Sequence, residues 1–153
     1  MVPKTITQRS CQTKSAFHVK DCRAYARSGN SKRCLFEQKS VVSYLDAALP
    51  KTCVFHHSPN EGKRHINYIN RLKQLGTKFG WPDLEIFIDA RSSLTDRPEV
   101  IFIELKLKRG ALNNNQKFIR DKIQGAGFLW ALCRSIEDVH DVLAAHVQLR
   151  AGL

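Results

Sequence analysis

The chain has 153 residues, 42% of them hydrophobic, which suits one domain around one core. No stretch is apolar for long enough to cross a bilayer, and the N-terminus lacks the apolar run of a secretory signal peptide, so a cytoplasmic protein without a membrane partner is expected. Lys and Arg number 25 against 14 Asp and Glu, and the net charge of +11 favours a polyanion, nucleic acid first, as partner.

Residues 1–33 hold much of that charge. Lys4, Arg9, Lys14, Lys20, Arg23, Arg27, Lys32 and Arg33 face a single acid, Asp21, and apolar periodicity is poor. The segment reads as a basic arm that orders on nucleic acid, or equally as a solvated tail. Its Ser-rich, acid-poor composition also admits organelle import as a second reading. Ser28-Gly29-Asn30-Ser31 reads as a loop. The five cysteines are Cys11, Cys22, Cys34, Cys53 and Cys133. An odd count without a CxxC pair suits reduced thiols. The spacing of Cys11, His18, Cys22 and Cys34 is far from a zinc knuckle.

A regular domain is expected over residues 34–153. Leu35, Val41, Val42, Leu45 and Leu49 recur at helical spacing, and Pro50 ends the helix. Thr52 to His57 is β-prone, and Ser58-Pro59-Asn60-Glu61-Gly62 is a turn. Ile66, Ile69, Leu72 and Leu75 mark a second helix, stopped by Gly76. Leu84–Asp89 and Val100–Leu107 read as strands joined by the polar stretch from Arg91 to Pro98, hence an antiparallel hairpin. A helix is expected from Asn113 to about Gln124, a strand over Phe128–Cys133, and a last helix opened by a Ser135/Asp138 capping box. The class is α/β.

The chemistry centres on Pro82-Asp83 and on Glu104-Leu105-Lys106, with Asp83 and Glu104 21 residues apart. Strand alternation puts Phe102, Glu104, Lys106 and Lys108 on one face and Ile101, Ile103, Leu105 and Leu107 on the other. A hairpin would bring Asp83 beside Glu104. Two converging carboxylates repel unless a cation lies between them, and hard oxygen donors suit Mg2+ or Mn2+. Such an ion is what phosphodiester hydrolysis needs, and Lys106 stands where it can orient a water or a phosphate. Taken alone, the same residues also fit an ordinary ion pair on an exposed ribbon.

The ordered set changes that balance. His57-Ser58-Pro59-Asn60-Glu61-Gly62-Lys63-Arg64, Leu72-Lys73-Gln74-Leu75-Gly76, Gly80-Trp81-Pro82-Asp83-Leu84, Phe102-Ile103-Glu104-Leu105-Lys106, Asn115-Gln116 and Gly125-Ala126-Gly127-Phe128 follow one another along the chain. Over roughly residues 34–145 this run resembles the VRR-NUC family, a branch of the PD-(D/E)xK nuclease superfamily. The resemblance implies a restriction-endonuclease-like core, a mixed sheet of about four strands flanked by helices. It implies a Mg2+- or Mn2+-dependent endonuclease on DNA, structure-directed towards branched, flap or four-way-junction forms, and able to act as a homodimer. It also implies metal ligands at Asp83, Glu104, the Leu105 carbonyl and Glu37, with Lys106 and Gln116 completing the catalytic set. Two of these carry bland readings as well. Glu37 fits a solvent-exposed helix glutamate, and Asn113 with Gln116 fits a capping box. His57, Asn60, Lys63 and Arg64 fall in the family's histidine, Pro-Asn and basic segment, where they would line the DNA path or buttress the site. Lys108, Arg109 and Lys117 extend a basic surface suited to phosphates. The competing expectations are a DNA-binding module without catalysis and an RNA nuclease.

Overall fold

The structure is a computed structural model that describes residues 30–58 and 65–150, with side chains from residue 38 onward. Its elements are α1 (Asn30–Ala48), β1 (Val54–His57), α2 (Ile66–Gln74), β2 (Leu84–Ile88), β3 (Glu99–Leu105), α3 (Asn114–Gly125), β4 (Leu129–Cys133) and α4 (Ile136–Ala144). That is the order expected from periodicity and breakers. One boundary differs: α1 begins at Asn30, inside the segment read as a loop. Asn and Ser favour helix starts as strongly as turns, so that composition does not separate the two.

The four strands form one sheet in the order β1-β2-β3-β4. β1 with β2 and β2 with β3 are antiparallel, while β3 and β4 run parallel. The parallel pair needs a crossover, and α3 supplies it. β3 therefore has a partner on both edges, and its residues Ile101 to Leu105 are all buried.

Alternation along the strands builds two apolar layers. Leu84, Ile86, Ile88, Ile101, Ile103 and Leu105 face Val41 and Leu45 of α1, Leu49 just past its end, and Val139, Leu143 and Val147 from α4 and its exit. On the other face Phe102 packs with Ile119 and Ile123 of α3, flanked by Trp81, Val100 and Trp130. The face carrying Phe102 and Glu104 is thus roofed by a helix, whereas an isolated ribbon would leave it in water.

Capping fixes the helices that matter most. Asn113 and Gln116 form a complete capping box on α3. At α4 the Ser135 hydroxyl accepts from the Asp138 amide as expected. The Asp138 carboxylate, however, accepts from the Arg134 amide at 2.7 Å, one residue before the cap. The chain after α4 returns to the hairpin connection: Ser93 bridges Val147, and His146 Nδ1 lies 2.8 Å from Glu99 Oε2. Three donors, from Ser93, Thr95 and His146, outweigh burial and hold the Glu99 carboxyl below its usual range. Cys133 is buried in the core, and burial, then the Asp138 charge, push its thiol up to about 12. Among the described residues no helix is long and apolar enough to cross a membrane.

The turn before β2 is set by Gly80, whose φ is +84°. A Cβ there would stand 2.5 Å from the Asn115 carbonyl carbon and 2.6 Å from the Gln116 amide nitrogen. The Gly80-Trp81-Pro82 turn thus rests directly on the first turn of α3. Trp81 then reaches forward, its indole N–H donating to Glu85 Oε1 at 2.5 Å and its ring meeting Phe102 edge-on at 5.9 Å.

Two substitutions test this packing by denaturant unfolding. Leu45→Ala empties a fully buried core position and is expected to cost about 2–5 kcal/mol. Gly80→Ala is expected to cost clearly more than Gly76→Ala. Both glycines have positive φ, at +84° and +91°, but only Gly80 has backbone within reach of a Cβ. Gly76→Ala should therefore lose only the left-handed strain of about 1–2 kcal/mol. Equal losses would show that the turn does not seat on α3.

Candidate active site

Strand register places the two central acids. β2 and β3 pair with Leu84 opposite Ile103. One further step of that antiparallel register sets Asp83 directly opposite Glu104, on the same face, with Cβ atoms roughly 5 Å apart. A hydrogen bond pins the arrangement: Asp83 Oδ2 accepts from the Leu105 amide at 2.8 Å. The acid at the end of one strand is thereby tied to the backbone just past the acid on the next.

Glu104 is only 1% exposed. Its Oε1 lies 2.7 Å from Lys106 Nζ and also accepts from the Gln116 side-chain amide. Burial, then repulsion from Asp83, raise its carboxyl from the usual 4.5 to about 7, although Lys106 pulls the other way. A buried carboxyl with a second acid across the strand bears a strain that Lys106 relieves only in part. That strain also tests the fit to a cation. Asp83 and Glu104 offer hard oxygen donors at one point, and their mutual repulsion is what a divalent ion would relieve. Among the described residues no cluster of three His, Cys, Asp or Glu side chains forms a fuller set.

Gln116 performs both tasks open to it. Its Oε1 accepts from the Asn113 amide at 3.0 Å, closing the capping box, while its Nε2 donates to Glu104. The amide's two ends tie the start of α3 to the buried acid. Gly80 presses on the same turn from outside.

His57 lies on the face away from Asp83's side chain, because it pairs with Leu84. Its half-buried ring donates from Nδ1 to the Asp83 carbonyl at 2.8 Å and sits against the buried amide of Gln38, 2.7 Å from Nδ1 and 3.0 Å from Nε2. The Asp83 carbonyl also accepts from the Ser58 amide at 3.1 Å. In this arrangement His57 holds the backbone of Asp83. Gln38 follows Glu37 directly on α1, so the helix brings Glu37's position to the same end of the sheet; its side chain lies outside the described residues. Asn60, Lys63 and Arg64 and most of the basic arm also lie outside them. Lys108, Arg109 and Lys117 are exposed on the turn after β3 and on α3.

Three residues beyond the sequence-derived set shape the site. Gln38 supports His57. Glu85, two residues after Asp83 and so on the same face, accepts from Trp81 and from Ser58 Oγ at 3.1 Å, with His56 4.0 Å away. Alternation alone could have flagged it. Arg134 donates to the carbonyls of Leu107, Lys108 (3.2 Å) and Gly110 (2.9 Å), clamping the turn that follows Lys106. Gly110 in turn lies along the Lys106 stem, since a Cβ on it would sit 3.3 Å from Lys106 Cδ. Nothing in the sequence links Arg134 to that turn, because the contact spans the whole crossover.

No protein-family model matches the chain, and no curated protein matches it. A solved structure of a VRR_NUC domain protein does superpose on it, with a TM-score of 0.56 and 20% sequence identity, covering 72% of this chain and 84% of that one. At that identity the likeness is one of architecture: the chain carries the fold of a VRR-NUC domain.

Proposed function

We propose that the protein is a metal-dependent endonuclease that hydrolyses phosphodiester bonds in DNA, directed to branched, flap or four-way-junction forms. The observation that carries this reading is the cross-strand meeting of Asp83 and Glu104, with Lys106 bonded to the second acid. The fold likeness to a VRR_NUC domain protein supports it. A buried carboxylate set beside a second acid is costly, and a binding surface alone has no use for one.

In this reading Asp83, Glu104, the carbonyl of Leu105 and Glu37 hold a Mg2+ or Mn2+. When bound, such an ion lowers the pKa of a water and offsets the charge that builds on the phosphate during attack. Lys106 presents its ammonium on the same face and holds the attacking water or the scissile phosphate in line. Gln116 keeps Glu104 from swinging, and His57 with Gln38 keeps the Asp83 peptide in place. Exposed Lys108, Arg109 and Lys117 contact backbone phosphates, which positions DNA without reading its sequence.

Cleavage assays on duplex, flap and four-way-junction DNA and on RNA, with Mg2+, Mn2+ or EDTA, test the reading. Wild type is expected to cut DNA only with a divalent ion. Asp83→Ala and Lys106→Ala are each expected to lower the rate by on the order of a hundredfold or more while leaving binding in place. Mutants that cut like wild type would refute the site. Tight binding without cutting in any metal would make the protein a DNA-binding module, and RNA cleavage alone would reassign the substrate.

Glu104 also gives a pH signature. Its folded value of about 7 lies above the ordinary 4.5, so its contribution to stability is complete below about pH 4.5 and is lost as pH rises through 7. Holding it ionised at higher pH costs roughly 3 kcal/mol. The Tm of EDTA-treated protein should fall between about pH 5 and pH 8, and Glu104→Gln should flatten that fall. Added Mn2+ should raise the Tm at pH 8 and leave it nearly unchanged at pH 5. The same slope in wild type and variant would exclude Glu104 as the titrating group.

A further inference from the structure

Helix α2 is not explained by the active site. It has no buried residue, although Ile66, Ile69 and Leu72 give it an apolar side. Ile66 is 60% exposed, Tyr68 51%, Leu75 72% and Phe79 40%. Large apolar groups exposed in such number often mark a binding surface. From His65 to Pro82 the chain has three cations, Arg71, Lys73 and Lys78, and no acid. Lys73 Nζ lies 5.4 Å from the centre of the Phe79 ring. Phe79 immediately precedes Gly80, which rests on the first turn of α3, where Gln116 reaches Glu104. An aromatic and cationic lobe is thus joined to the two acids by a turn seated on α3.

We infer that α2 and the turn through Phe79 form a platform for unpaired nucleotides of the nucleic acid whose backbone enters the site. A ring with a cation beside it matches what a single strand presents: a base face that stacks and a phosphate that needs neutralising. A paired duplex keeps its base faces covered, so the platform selects flaps and single-stranded branches at a site that itself reads only backbone. The charge supports this occupant over a second copy of the chain, because two lobes of three cations each would repel across a shared apolar face. The inference rests on the nuclease reading of Asp83 and Glu104 and adds to it the feature of the substrate that is recognised.

Fluorescence anisotropy in EDTA separates the two claims, using labelled oligothymidine, a flap duplex and a fully paired duplex. Phe79→Leu, which keeps bulk and removes the ring, and Lys73→Ala are each expected to weaken oligothymidine and flap binding on the order of tenfold. Duplex affinity should stay within about twofold, and Phe79→Tyr should bind the flap like wild type. Asp83→Ala should retain the full preference for unpaired strands while cutting nothing. Equal affinities of wild type and Phe79→Leu for the flap, or parallel losses on flap and duplex, overturn the platform. So does light scattering that shows a wild-type dimer split by Leu75→Glu with flap binding unchanged, since the face would then be an interface between copies. If wild type cuts no substrate yet the affinity pattern holds, the nuclease reading fails and the platform stands.

Discussion

The pairing register between β2 and β3 is the constraint on which the site depends. Leu84 opposite Ile103 is a core contact, fixed because a slip of one residue would turn every aliphatic side chain of the hairpin towards the wrong face. The acids inherit their position from that apolar bookkeeping: once Leu84, Ile86, Ile101 and Ile103 face α1 and α4, Asp83 and Glu104 have to meet on the opposite face at the strand end. Burial energy spread over the core thereby holds together two groups that would otherwise separate. The Asp83 bond to the Leu105 amide closes the last step of the same ladder.

Around that pair the supports are local and short. Gln116 reaches Glu104 from the roof, Lys106 from just past the end of β3, and His57 steadies the peptide of Asp83 from below. Arg134 reaches the turn after Lys106 from the far end of the crossover. Each support comes from a different element, so the site becomes rigid only when α1, β1, the hairpin, α3 and the β4–α4 junction are all in place. That is the arrangement expected where chemistry needs groups held to a fraction of an ångström.

Much of this was legible in the sequence, for definite reasons. Element order followed from periodicity and from Pro50, Gly76 and the Gly125–Gly127 break, and the two faces of β3 followed from strict alternation at Ile101, Phe102, Ile103 and Glu104. The capping box of Asn113 and Gln116 was visible from their spacing, whereas the contact of Gln116 with Glu104 was suggested only by the family resemblance. What could not be read depends on distance along the chain. Arg134 meets a turn 24–27 residues earlier, and Gln38 meets His57 19 residues later, and neither contact leaves a periodic trace. The start of α1 at Asn30 was missed because helix-starting and loop-forming residues are the same ones.

The return of the chain after α4 has a consequence for how the molecule assembles. The Arg150 amide bonds the Ala48 carbonyl, Val147 bridges Ser93, and Tyr44 on α1 bonds His140 on α4. The first described helix is therefore completed by the last described residues. During synthesis α1 can pack on the hairpin first, but its C-terminal end closes only when almost all of the described residues have left the ribosome. Closing such long-range contacts is slow compared with forming a hairpin, so a chaperone or a low temperature during expression should raise the yield of this protein.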